Sequence, residues 1–286
     1  MPESIPLTSA PKPPAWTLPR NLSLIPFVIT HVLAVTLPFV VGVSWRALAM
    51  CAFMYYGRMF LVTAGYHRYF AHRSYKTSRA FQFVLALLGT TAMQKGALWW
   101  SSHHRHHHRY SDTEQDIHSP TRRGFWWSHM GWILSSDYVD TDWPRIQDLS
   151  KFPELRFVDR FNLWPGLFAL ALLYATMGAQ MAVWGGLVST VLLWHGTFTI
   201  NSLSHVFGKR VYPTTDTSRN SFLLALVTCG EGWHNNHHYY QVCANQGFRW
   251  YEIDVTFYGL VLLEKLGVIW DVKRAPPDII DGSRAR

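Results

Sequence analysis

Residues 101–108 read Ser101-Ser102-His103-His104-Arg105-His106-His107-His108, and residues 230–238 read Gly230-Glu231-Gly232-Trp233-His234-Asn235-Asn236-His237-His238. On an α-helix, positions i, i+3 and i+4 share one face, so His104, His107 and His108 converge. His234, His237 and His238 converge in the same way on a helix. The intervening Asn235-Asn236 favours caps and turns, but convergence survives in a turn. A third pair, His67 and His72, stands five residues apart, which on an ideal helix separates them by about 140°. A helix end or an unwound turn must re-aim one of them. Eight imidazoles exceed the four ligands of a structural zinc site and imply two ions with four or five ligands each. Imidazole suits Fe, Cu, Ni and Zn, so spacing leaves the metal open.

Outward from these clusters the chain is apolar. Four stretches, 22–43, 47–65, 163–180 and 182–200, are long enough to cross a bilayer of about 30 Å as helices. Each pair is joined by a tight turn, near Val43 to Arg46 and near Gly178 to Ala182, which makes two hairpins. A fifth stretch, Ala80 to Leu98, carries Gln82, Gly89, Gln94 and Lys95. If it crossed the membrane, His67/His72 and His104/His107/His108 would lie on opposite faces, so it reads as interfacial. Lys and Arg number thirteen over 66–162 and nine over 201–286, whereas the two opposite turns hold only Arg46. That imbalance makes the histidine face cytoplasmic, with both termini on that side. The fold class is therefore an all-α membrane protein: four transmembrane helices in two hairpins, interfacial helices, and a cytosolic helical cap holding the metal site. Residues 1–21 read as a cytosolic tail without signal-peptide character, 22–275 as one integral-membrane domain, and 276–286 as a C-terminal tail.

Composition removes other classes. Cys51, Cys229 and Cys243 form no C-x-x-C pair, so a thiolate metal site and a disulfide framework are both disfavoured. The net charge of +8 comes without a nucleic-acid recognition motif, and no nucleic-acid partner is expected. The basic residues flank apolar stretches, which suits a membrane surface.

Other polar residues add to the clusters. His205 follows the fourth stretch and lies one helical turn after Asn201, which offers a carbonyl oxygen directly or through water. Asp112, Asp116 and Glu231 stand near the clusters and can accept the second N–H of a ligating imidazole. His103 and His106 point away from the shared face of their cluster. His31 and His195 read as interhelical hydrogen-bond partners, and His118 and His129 as structural, with contact to a polar substrate head as the alternative. Arg58, inside the second stretch, is costly there and must snorkel or find a buried partner.

With these residues in hand, the chain resembles the membrane fatty acyl desaturases, especially the stearoyl-CoA delta-9 type. The matching text is Thr63-Ala64-Gly65-Tyr66-His67-Arg68 with His72-Arg73-Ser74-Tyr75, His104-Arg105-His106-His107-His108, Arg122-Arg123-Gly124-Phe125, Ser128-His129-Met130-Gly131-Trp132, Asn201-Ser202 with His205, and Gly230 to His238. The resemblance implies two iron ions held by His67, His72, His104, His107, His108, His205, His234, His237 and His238, with Asn201 acting through water. It implies O2 as co-substrate, a long-chain acyl substrate in a narrow tunnel, membrane lipids around the spans, and a separate electron donor of ferredoxin or cytochrome b5 type. In that family, second-span residues close the tunnel, which places Cys51 and Tyr55 as candidate chain-length residues. Arg122 and Arg123 are candidates for phosphate, so acyl-CoA is favoured. Animal acyl-CoA enzymes carry further cations where this chain has Ser135-Ser136-Asp137, Asp140 and Asp142, which keeps acyl lipids and acyl carrier protein open. A histidine-box lipid or alkane hydroxylase is the alternative chemistry. A membrane metal carrier is a remote one, since it needs ligands along a path through the spans.

Overall fold

The computed structural model of the chain describes residues 24–282, and three apolar helical runs organise it. Leu24–Val41 (α1) and Trp45–Ala71 (α2) are separated by a short turn in which the Ser44 side chain caps α2, accepting from Ala47 N at 3.2 Å. The third run, Trp164–His205, is broken at Gly178, whose φ of 82° and ψ of 176° are not helical. Glycine adopts such a conformation without the Cβ penalty. A methyl placed on Gly186 would collide with Leu170, so the arms fold back on each other about Gly178 as α5 (164–177) and α6 (179–205). The two turns are clasped together. Gln180 donates to Val41 O at 3.0 Å and accepts from Ser44 Oγ at 2.7 Å, while Trp184 Nε1 donates to Gly42 O at 2.9 Å.

All three runs are long and apolar enough to cross a membrane. Phe39, Trp45, Phe53 and Phe168 point outward and are exposed, an arrangement that water disfavours over a contiguous patch and lipid tolerates. Where α1, α2, α5 and α6 meet, Arg58 is buried and donates to Thr190 Oγ1 (2.6 Å), Ser189 Oγ (2.5 Å), Thr91 O (3.2 Å) and Met54 O (3.0 Å). Buried partners, rather than snorkelling, satisfy its guanidinium.

The fifth apolar stretch forms a helix shorter than a membrane span. Arg79–Gly89 (α3) is 11 residues, about 16 Å at 1.5 Å per residue, against a hydrocarbon core of about 30 Å. The chain then turns through left-handed Met93 and Lys95 (φ 54° and 66°) into Ala97–Tyr110 (α4). That reversal brings α4 back against the end of α2.

The end of α2 differs from the expected unwinding. Leu61–Ala71 is π-helical, and His72 N bonds His67 O at 3.1 Å. An i to i+5 repeat stacks residues five apart, so the two imidazoles meet with ring centroids 4.7 Å apart. The turn is widened, not unwound.

Beyond α6, His234–Tyr239 (α7) and Val255–Lys265 (α8) complete a cap. A two-residue antiparallel pairing of β1 (Lys76–Thr77) with β2 (Ile269–Trp270) ties it to the end of α2. Val62, Tyr66, Phe70, Leu98, Leu260 and Ile269 form the core between cap and helices. Part of the expected C-terminal tail packs as well: Ile279 is buried, and Tyr212 donates to Ile280 O at 2.6 Å. The expected N-terminal tail lies outside the described residues.

Candidate metal centre

The π-helical end of α2, the helical face of α4, the end of α6 and α7 bring nine imidazoles together in two groups. His67, His72, His104, His108 and His237 form one, and His107, His205, His234 and His238 the other; within each, the candidate ligand atoms lie within 4.8 Å of one another. Helix α4 supplies both, with His104 and His108 facing one group and His107 the other. Helix α7 likewise sends His237 to the first and His234 and His238 to the second.

The Nε2 atoms point inward. His67 Nε2 is 3.1 Å from those of His72 and His237, His72 Nε2 is 2.8 Å from that of His104, and His237 Nε2 is 3.0 Å from that of His108. In the second group the His205 and His234 Nε2 atoms stand 3.1 Å apart. Metal–nitrogen bonds of about 2.1 Å at right angles place ligand nitrogens about 3.0 Å apart. The donor set and spacing therefore fit a metal ion in each group.

Carboxylates hold the outer nitrogens. His67 Nδ1 meets Glu231 at 2.5 Å, His107 Nδ1 meets Asp116 at 3.0 Å, His205 Nδ1 meets Asp112 at 3.0 Å, and His238 Nδ1 meets Asp216 at 2.7 Å. An Nδ1–H given to a carboxylate fixes the tautomer that leaves Nε2 free to bind a metal. The carboxylates are themselves held. Asp112 accepts from Ser119 Oγ (2.5 Å) and from Thr217 N and Oγ1 (both 2.7 Å). Asp116 accepts from Asp112 N at 2.8 Å. Glu231 accepts from Gln246 Nε2 (2.8 Å) and Arg68 Nη2 (3.0 Å), and Arg68 also pairs with Asp254.

Burial alone would raise the Asp112, Asp116 and Asp216 carboxyls, but their histidine partners and hydrogen bonds outweigh it and hold them well below the usual carboxylate range. Burial, reinforced by neighbouring imidazoles, pushes His72, His104, His108, His234 and His237 well below the ordinary histidine value. Burial also brings His238 down to about 4, although Asp216 opposes it. At neutral pH these rings carry the lone pair that ligation requires.

Asp216 escaped the sequence reading. It lies 22 residues before His238 in an irregular segment, and its one advance signal is that an anchored ligand in the third cluster needed an acceptor. The Asn235-Asn236 pair, which made helix there doubtful, instead stitches α7 to the cap. Asn235 Oδ1 accepts from the backbone N of Val211 and Tyr212, both at 2.7 Å, and Asn236 Nδ2 donates to Glu252 at 2.8 Å.

A cavity of about 430 Å³ borders the first group. His104, His118 and Asn201 lie on its wall with Trp99, Trp132 and Phe198, and Gln94 braces Thr197 across it at 2.9 Å. His118 stacks on His107 with centroids 4.2 Å apart. His103 instead meets Trp99 O at 2.9 Å and His106 meets Gln115 O at 2.8 Å, so neither joins a group. His31, His195 and His129 form a chain, with Nε2 to Nε2 at 3.1 Å and Nδ1 to Nε2 at 2.9 Å.

The candidate substrate residues lie elsewhere. Arg122 pairs with Glu114 at 2.9 Å and donates to Asp112 O, while Arg123 stands 3.3 Å over the Trp127 ring. Tyr55 is buried with its hydroxyl on Val227 O at 2.8 Å, and Cys51 is a buried free thiol. Neither borders the cavity at the histidines.

These features define a class: a mostly helical protein with long apolar runs and nine imidazoles gathered in two groups beside a largely apolar cavity. The chain belongs to the fatty acid desaturase family, whose sequence model matches residues 43–258, and it is an oxidoreductase. It is 37% identical to an acyl-CoA 5-desaturase of Anemone leveillei over 85% of this chain and 76% of that protein. It is 36% identical to an sn-1 stearoyl-lipid 9-desaturase of Synechocystis over 100% of this chain and 88% of the other. An sn-2 palmitoyl-lipid 9-desaturase of Nostoc is 36% identical over 90% and 92%.

Proposed function

We propose that this chain introduces a cis double bond at the delta-9 position of a saturated long-chain acyl group carried on coenzyme A, with two iron ions held by the nine histidines. The observation that carries this reading is the pair of imidazole groups, anchored by four carboxylates, with the first group bordering a largely apolar cavity through His104. Iron, when bound, supplies the oxidising chemistry: two hydrogens leave adjacent methylenes, a separate donor provides two electrons, two protons enter, and O2 becomes two waters. The protein's own part is to hold and orient. Glu231, Asp112, Asp116 and Asp216 keep the Nδ1 protons and thereby aim Nε2, Asn201 positions a water beside the centre, and Trp99, Trp132 and Phe198 exclude bulk water from the acyl chain.

The same reading takes α1, α2, α5 and α6 as four crossings. The clasped turns at 41–45 and 178–182 lie on one side, and the histidines and both termini on the cytoplasmic side. The Lys and Arg imbalance supports that orientation. The electron donor is a separate protein of ferredoxin or cytochrome b5 type.

A second reading, an acyl-lipid substrate, is favoured by one observation: Arg122 is paired with Glu114 and Arg123 stacks on Trp127, so both cations proposed for phosphate are engaged. Expression in a host lacking its own desaturase, with mass spectrometry of the fatty acids, tests the reaction. A new cis-9 monounsaturated acid is the expected product; a hydroxylated one overturns the assignment. Purified protein holding two irons and acting on stearoyl-CoA separates the head groups, because turnover confined to phospholipid vesicles selects the second reading. One exchangeable zinc without turnover selects a metal carrier.

A further inference from the structure

A second cavity, of about 360 Å³, lies among α1, α2, α5 and α6 and is lined mainly by apolar side chains such as Leu33, Leu170 and Leu187. Arg58, the one charged residue among its described lining, has its guanidinium engaged by four oxygens. This cavity and the one at the histidines share Pro26, Met93 and Leu163. Of the three, Met93 has the long unbranched side chain that rearranges most readily.

Met93 is held in place from both sides. Its backbone is left-handed, and hydrogen bonds grip its neighbours: Arg58 and Trp194 donate to Thr91 O and Ala92 O (3.2 and 3.0 Å), Gln94 donates to Thr197, and Tyr66 donates to Lys95 O (3.2 Å). Gly166 makes the seat for its side chain. A Cβ there would stand 2.6 Å from Met93 Cγ and 3.1 Å from Sδ. Gly166 borders the second cavity and not the first.

We propose that the Met93 side chain, seated on Gly166, is the partition that ends the acyl site, and that the second cavity is a binding site for the methyl-terminal carbons of longer acyl chains. The proposal rests on the desaturase reading above. A chain running from the metal centre toward the membrane interior meets Met93 at the shared wall, and beyond it finds a space with apolar walls.

Two substitutions test this in opposite directions. Met93→Ala joins the cavities, so saturated chains two and four carbons longer than the unaltered enzyme's limit become substrates. Each newly buried methylene contributes about fourfold, so two raise the ratio of long to ordinary product by about fifteenfold. Gly166→Ala drives the Met93 side chain toward the first cavity and shortens the longest accepted chain. The assay is mass spectrometry of products formed from a mixture of saturated chains, in which turnover by the unaltered enzyme reports separately on the desaturase reading. Opposite shifts in the two variants, with Met93→Leu unchanged, establish the partition. An unchanged chain-length profile in active Met93→Ala and Gly166→Ala enzymes overturns it, and where Met93→Ala does not accumulate, the Gly166→Ala profile decides.

Discussion

The two histidine groups use the same ligand and are secured differently. In the four-member group His107, His205 and His238 each rest on a carboxylate of their own, Asp116, Asp112 and Asp216. In the five-member group His67 meets Glu231, whose charge is shared with buried Arg68, and the Nδ1 atoms of His108 and His237 find no hydrogen-bond partner among the described residues. The first design fixes few ligands through outer hydrogen bonds and concentrates negative charge behind them. The second relies on one more imidazole and on ring packing, with His72 in edge contact with His104, His108 and His237 at 4.5 to 4.9 Å. Redundancy belongs to one group and anchoring to the other.

Removing a ligand from each group tests this most strongly. His205→Ala leaves the four-member group with three imidazoles and is expected to cost one iron per chain and all measurable desaturation, a loss beyond the roughly 10–100-fold of an outer partner. His237→Ala leaves four imidazoles in the other group. It is expected to abolish turnover while retaining part of the second iron, read by elemental analysis of purified protein. Equal iron loss in both variants would remove the claim of redundancy.

The next effect separates the anchors. Asp216→Asn keeps size and removes charge from the carboxylate behind His238, so iron affinity or activity falls by about 10–100-fold. Glu231→Gln removes a charge already offset by Arg68, in a group with a ligand to spare. Iron retention during chelator titration should therefore fall less than in Asp216→Asn. The reverse order would show that the Glu231 charge, despite its ion pair, governs the five-member group.

How much of this contrast was legible depended on whether the cause was local. The break at Gly178 followed from the length of the apolar runs. The shared face of His104 and His108 followed from the helical repeat, although His107, expected to converge with them, faces the other group. The meeting of His67 and His72 did not, because a five-residue spacing predicts divergence on an α-helix and only a π-helical segment resolves it. Of the carboxylates, Asp116 alone serves the cluster it neighbours in sequence; Asp112 reaches His205, Glu231 reaches His67, and Asp216 arrives from an irregular segment, pairings set by tertiary packing. The cavities are further still from sequence. Cys51 and Tyr55, candidates by position along α2, border neither of them, because position along a span says nothing of which way the side chain faces.

Tyr55 gives the smallest expected effect and tests how the weakly anchored group is braced. Its hydroxyl donates to Val227 O at 2.8 Å, the last residue of the short helix Phe222–Val227, and the chain runs from there through Gly230 to Glu231. The bond therefore links α2, which carries His67, to the segment that carries the carboxylate on which His67 rests. Tyr55→Phe keeps the ring packed against Gly196 and removes one neutral hydrogen bond, for a loss of about 0.5–1.5 kcal/mol in stability. Thermal unfolding in detergent should show that small decrease, and iron should dissociate somewhat faster from the five-member group than from the four-member group. Product chain length should stay the same, since the side chain faces neither cavity. A shift toward longer products in Tyr55→Ala would instead place the end of the acyl site on α2 and take that role away from Met93.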